Sequence, residues 1–129
     1  MSPSEEIHSP RAPAPVGLYP HARRAAGLLF LSGIGPRRPG SNDIPAEFEA
    51  QCRSVFDNVR TVLEDAGARF EDLVDVTVFL TDMKRDFAIY NRLYAEYFAD
   101  ARPCRTTVEV GALPTAISIE LKCIAEIRP

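Results

Sequence analysis

Between residues 47 and 66 apolar side chains recur at three- and four-residue steps: Phe48, Cys52, Val55, Phe56, Val59, Val62, Leu63 and Ala66. Gly67 then stops the pattern, as expected of a helix C-terminus. A helix with one apolar stripe buries one side and leaves the other to water. A second helix is expected over 87–98, capped by Asp82 or Asp86. Its apolar face is Phe87, Tyr90, Leu93, Tyr94, Tyr97 and Phe98, with Asn91 beside it. Two such helices can cover one side of a sheet.

The runs around the helices supply that sheet. Residues 21–25 read as a strand that turns at Ala26-Gly27 into a second, 28–32. Residues 73–80 form another, with Val74, Val76, Val78 and Leu80 on one face. Residues 102–125 close the chain as two more. The order strand, strand, helix, strand, helix, strand, strand predicts an α+β fold, a mixed sheet with two helices on one face. The uncovered face is not uniformly polar, because Leu29, Leu31 or Phe30, and Phe79 point away from the helices. A homo-oligomer that buries this face is the economical expectation.

The sharpest expectation concerns residues 102–125. Folded as a hairpin about Leu113 and Pro114, the two strands set Thr107 opposite Glu120, Val108 opposite Ile119 and Val110 opposite Ile117. Val108, Val110, Ile117, Ile119, Leu121 and Cys123 then share one face. Arg105, Thr107, Glu109, Ser118, Glu120 and Lys122 share the other. Charges in mid-strand are uncommon unless the face is wet, paired or functional. The plain alternative is a solvated face of alternating charges.

Composition bounds the classes. A chain of 129 residues with 46% hydrophobic residues is one domain with a real core. A net charge of −3 with no basic stripe argues against a dedicated nucleic-acid binder. Cys52, Cys104 and Cys123 have no metal-binding or disulfide spacing, and His8 and His21 stand alone. Reduced thiols and no metal are expected. Gly33-Ile34-Gly35 runs into Pro-Arg-Arg, so it is no dinucleotide fingerprint. The first residues lack the apolar core of a signal peptide, and no run is long enough to span a bilayer. A cytoplasmic protein is expected. Residues 1–15 hold four prolines and no periodicity; they read as a flexible N-terminal arm ahead of a domain at 16–129.

An ordered set of segments runs nearly end to end: VGLY at 16–19, LFLSG at 29–33, IPAEFEAQCRSVFDNVRTVLEDAG at 44–67, VDVTVFLTDM at 74–83, YNRLYAEYF at 90–98, RPCRTTVEV at 102–110 and IELKCIA at 119–125. In this set the chain resembles the RidA/YjgF family, long labelled endoribonuclease L-PSP. The resemblance implies a chorismate-mutase-like fold and a homotrimer with clefts between subunits. It implies hydrolysis of reactive enamines and imines, such as 2-aminoacrylate, to 2-keto acids and ammonia, with no metal or organic cofactor. Carried over, Arg105 holds the substrate carboxylate and Glu120 positions and polarises water. Tyr19, Ser32 and Thr107 line the pocket, backbone near Gly33 and Thr107 orients water or the imine nitrogen, and Asn91 adds from the second helix. Many members have cysteine where Thr107 stands, so thiol-based regulation does not carry over.

The stretches YPHARR (19–24) and GIGPRRPG (33–40) resemble a subgroup that includes 2-aminomuconate deaminases. The second carboxylate of that substrate would meet Arg37 or Arg38. Two other classes stay open: a ribonuclease or translation inhibitor, and a non-catalytic trimer that binds small carboxylates.

Overall fold

The computed structural model describes residues 4–128. Strands β1 (Glu5–Ile7), β2 (Ala22–Ala25) and β3 (Leu28–Leu31) come first, followed by helix α1 (Phe48–Asp65). A one-turn 3₁₀ segment, Phe70–Asp72, leads into β4 (Leu73–Leu80), then α2 (Met83–Tyr97), β5 (Cys104–Glu109) and β6 (Ile119–Glu126). The six strands form one mixed sheet in the order β1-β2-β3-β6-β4-β5. Both helices lie on one side of it, as the single stripes require.

Local chemistry accounts for the elements. The β2–β3 connection is a two-residue turn with Ala26 at φ 54° and Gly27 at φ 77°. Both angles are left-handed, which matches the twist of a hairpin. Gly27 adopts its angle freely and Ala26 does not. Ala26→Gly is expected to stabilise the fold by about 0.5–1 kcal/mol, read as a rise in Tm; an unchanged or lower Tm would contradict it. For α2, Asp82 is the cap, accepting from the Arg85 backbone N–H at 3.1 Å. Asp86 is instead buried and takes a bidentate pair from Arg85, Nε and Nη2 each at 2.8 Å. Glu109 adds an acceptor for the Met83 N–H at 2.8 Å, so β5 and the start of α2 are tied together. The core between layers is built on Val55, Phe56, Val59, Val62 and Leu63 of α1, Tyr90 and Leu93 of α2, and Leu29, Leu31, Val76, Val78, Leu80, Ile119, Leu121 and Cys123 of the sheet.

Three expectations are corrected. First, β5 and β6 do not form a hairpin. β4 lies between them, parallel to β5 and antiparallel to β6. Thr107 is opposite Val78, and Glu120 is opposite Phe79. The connecting segment crosses over β4 instead of turning back. Matching apolar residues across 102–125 did not exclude this, since β4 offers the same alternation to either neighbour. Registered neighbours share a face, so Arg105, Thr107 and Glu109 join Val76, Val78 and Leu80 on the helix side. Val108 and Glu120 lie on the other side with Phe79.

Second, Val74 is not on the buried face. The β4–β6 register shifts between Leu73 and Asp75, and this bulge turns Val74 outward to 37% exposure.

Third, the chain from Ser4 onward is no loose arm; residues 1–3 lie outside the described residues. β1 pairs with β2, and Ser9 is buried. The Ser9 N–H donates to His21 Nδ1 at 2.9 Å, so the ring hydrogen sits on Nε2, which donates to the Pro13 carbonyl at 2.8 Å. Ser9 Oγ donates to Asp65 at 2.6 Å, and Arg11 Nε donates to the same carboxylate at 2.8 Å. Burial alone would raise the Asp65 carboxyl, but the Ser9 and Arg11 bonds outweigh it and hold the group below the usual range. Proline content misread this segment because polar anchors, not apolar periodicity, hold it down.

On the uncovered side of the sheet Phe30, Phe79, Val108 and Ile124 are only half-buried. Leu29 and Leu31 are in the core. Among the described residues no helix is long and apolar enough to cross a membrane.

Candidate functional site

The residues singled out from sequence fall into two clusters on opposite faces of the sheet. The first surrounds Glu120. After β3 the chain runs through Ser32 and Gly33, and Ile34 bonds Leu121 in both directions at 2.9 Å. This bridge lays Gly33 directly beside the Glu120 side chain. A Cβ on Gly33 would stand 2.9 Å from Oε2 and 3.0 Å from Cδ of Glu120. Tyr19, Gly35, Arg37, Pro114, Thr115 and Ile117 complete the walls of a cavity of about 30 Å³ around that carboxyl. A second cavity of about 30 Å³ adjoins it under Pro13 and includes Ser32 and His21. Each has room for about one water molecule. Ser32 Oγ donates to the Pro20 carbonyl at 2.7 Å, and Tyr19 Oη accepts from the Val16 N–H at 3.1 Å. Both side chains are thus fixed by the 13–21 segment.

Glu120 is half-buried, and burial pushes its carboxyl pKa up. No arginine or lysine pairs with it among the described residues. A carboxylate kept partly dry and unpaired is a better base than one in water. Gly33→Ala is expected to push the Glu120 carboxyl aside and lower activity roughly 10- to 100-fold, with Tm nearly unchanged because the displaced group is a flexible side-chain end. Full activity in that variant would show that the Glu120 position is not critical.

The second cluster is at the β5 edge. Arg105 extends over α2, its guanidinium 5.2 Å from the Tyr90 ring centre and 4.8 Å from that of Tyr94. Nη1 donates to Asn91 Oδ1 at 2.8 Å. Thr107 Oγ1 and Tyr90 Oη lie 2.8 Å apart, with either able to donate. Burial raises the Tyr90 phenol, the Thr107 bond opposing it, and burial raises Tyr94 further still. Both rings therefore stay neutral and offer Arg105 a π face. The Tyr94 hydroxyl is buried with no partner among the described residues.

The structure thus joins Tyr19, Gly33 and Glu120 around one cavity, sets Ser32 in the cavity next to it, and joins Arg105, Asn91 and Thr107 at the edge strand. It does not bring the two clusters together within one chain, because Arg105 and Glu120 point to opposite faces. The sequence reading took Tyr90 and Tyr94 only as helix stripe. Their spacing of one turn, beside Asn91 and opposite a strand arginine, was the available signal. Pro114 was read as turn residue alone. Gln51 was not singled out; buried on α1, it donates to the Pro45 carbonyl at 3.0 Å and accepts from the Ser118 N–H at 2.9 Å, fixing the approach to β6.

The thiols stand apart from both clusters. Cys52 and Cys123 are buried, which pushes each thiol up to about 12. Cys104 is exposed and pairs across from Asp75 on the face away from Arg105.

Comparison with known proteins agrees with this architecture. The crystal structure of the YjgF gene product of E. coli superposes with a TM-score of 0.89 at 35% identity, over 96% of this chain and 99% of that one. RidA from an Antarctic Psychrobacter species gives 0.91 at 32% identity, over 95% and 99%. A RutC family protein of Pyrococcus horikoshii is 41% identical over 122 residues, 94% of this chain and 96% of its own. A RutC family protein of Synechocystis is 42% identical over 122 residues, 92% and 93% of the two chains. The profile of the family described as endoribonuclease L-PSP matches residues 9–127. With profile, sequence relatives and solved folds agreeing over almost its whole length, the chain belongs to the endoribonuclease L-PSP family, that of the RidA, YjgF and RutC proteins.

Proposed function

We propose that this protein is a cofactor-independent hydrolase of enamine and imine carboxylates, active as a homotrimer in which the Glu120 cluster of one copy meets the Arg105 cluster of the next. One observation carries the reading. A dry, unpaired carboxylate and an arginine without an acidic partner lie on opposite faces of one sheet, and the face bearing the carboxylate is half apolar. Each is an incomplete site alone. A second copy packed on the open face supplies the missing half and buries Phe30, Phe79 and Val108 with it.

The chemistry needs little more than placement. Arg105, steadied by Asn91 and the two tyrosine rings, grips the substrate carboxylate through its fork. An enamine such as 2-aminoacrylate first shifts a proton to its terminal carbon and becomes the imine. Water held by Glu120 adds to the imine carbon, a new C–O bond forms, and Glu120 takes the proton. The C=N pair moves to nitrogen, which is protonated. The carbinolamine then expels ammonia as its hydroxyl proton leaves, yielding the 2-keto acid. Thr107 and the backbone at Gly33 orient water and nitrogen.

The test is ammonia release from freshly generated 2-aminoacrylate, supplied by a serine or threonine dehydratase, with 2-aminomuconate as the second substrate. Wild type should release ammonia from at least one of them, and Arg105→Ala should not. Binding of 2-keto acids without turnover of any imine would replace this reading by a non-catalytic carboxylate binder. The ribonuclease name borne by relatives finds little support in an acidic chain without a basic stripe.

A further inference from the structure

Two arginines stand side by side in the 33–40 loop, and their surroundings differ. Arg38 is exposed, and its backbone closes a tight turn with Asp43 and Asn42. Arg37 lines the Glu120 cavity and the one adjoining it. The backbone that carries Arg37 is pinned to α1 at three points. Ser54 Oγ donates to the Pro36 carbonyl at 2.7 Å, and buried Asn58 donates to the Gly35 and Arg37 carbonyls at 3.0 and 2.8 Å. The Arg37 fork is oriented as well, Nη1 donating to Asn42 Oδ1 at 3.1 Å and Nη2 to the Ala14 carbonyl. Both acceptors are neutral, and no carboxylate pairs with it among the described residues.

A positive charge held this firmly, turned into a cavity and left without a counter-charge, is prepared for an anion from outside. It does not serve Glu120, with which it forms no ion pair. Nor does it duplicate Arg105, which lies on the other face of the sheet.

We infer that Arg37 is a selectivity residue that receives a second, distal anionic group of the substrate, so that imines of dicarboxylic acids are preferred over those of monocarboxylic acids. This rests on the imine-hydrolase reading and narrows its substrate class. The α-carboxylate goes to Arg105, the imine carbon lies at Glu120, and the far carboxylate takes the remaining Arg37 donors.

The experiment measures two ratios in the full-length protein, for wild type, Arg37→Gln and Arg37→Lys. The first is equilibrium affinity for 2-oxoglutarate over 2-oxobutyrate, stable stand-ins for the two product classes. The second is kcat/KM for ammonia release from the corresponding imines, generated in place by an amino-acid oxidase. Wild type should favour the dicarboxylate about tenfold or more, as a charge-assisted bond supplies. Arg37→Gln should collapse both ratios to near one, and Arg37→Lys should recover part of them. A wild type without preference, or a Gln variant that weakens both partners alike, overturns the inference; the latter would make Arg37 a brace for the 14–42 contacts. Silence on every imine would sink the hydrolase reading, while the affinity ratio would still decide the role of Arg37.

Discussion

Glu120→Gln is expected to slow imine hydrolysis by about 10² to 10⁴-fold, the usual contribution of a positioned general base, while the protein stays assembled and loses no stability at neutral pH. The amide keeps the size and much of the hydrogen bonding of the carboxyl but cannot take a proton from water. The stability half of the prediction follows from burial. Burial raises the Glu120 carboxyl above its ordinary value. A group whose folded pKa lies above its unfolded one is favoured in its protonated form by folding. Its contribution is fully present below the unfolded pKa and is lost as pH rises through the folded pKa. At pH 7 the wild type therefore carries the cost of a half-dry charge that Gln lacks. Tm of the variant should equal or exceed that of wild type at pH 7, and any difference should close as pH falls toward 4. The same shift moves the acidic limb of the wild-type kcat/KM profile above the range of an ordinary glutamate. A variant that dissociates into monomers would make Glu120 a structural residue, and one with normal turnover would remove it from the chemistry.

Arg105→Lys is the second large effect: a loss of about 10- to 100-fold in kcat/KM, matching the roughly 1.5–3 kcal/mol of one charge-assisted hydrogen bond. Charge is conserved, so a purely electrostatic role would survive. Two properties are lost. The lysine ammonium is a point donor and cannot meet both oxygens of a carboxylate in parallel. It also lacks the planar surface that lies over Tyr90 and Tyr94 at 5.2 and 4.8 Å, and the directed bond to Asn91. Because Arg105 is exposed at an edge strand, Tm should change little. Near-wild-type turnover with lysine would remove the carboxylate clamp. A loss of Tm comparable to a core defect would instead recast Arg105 as a structural link between β5 and α2.

The sequence by itself determined the parts of this fold that depend on neighbours along the chain. The α1 stripe, the β2–β3 turn at Ala26-Gly27 and the extent of β4 all follow from side-chain period and local backbone preference. The α1 stripe came out as read because Cys52, Val55, Phe56, Val59, Val62 and Leu63 are all buried, and one helical period can place them only together. The site residues were legible as types, since arginine and glutamate inside strands have few bland explanations. Family resemblance supplied their roles.

Tertiary structure alone decided which strands lie side by side. The 110–118 segment is equally able to turn back or to cross, and inserting β4 satisfies the same apolar matching on both of its edges. That choice moved Arg105 and Glu120 from one face to two. It changed a complete site in one chain into two halves that require a second copy. The 4–15 segment shows the same limit. Its hold on the domain comes from Ser9, His21 and Asp65, which lie up to 56 residues apart and have no periodicity to reveal that they meet. Local patterns record what a residue needs, burial or water. Only the folded chain selects which partner supplies it.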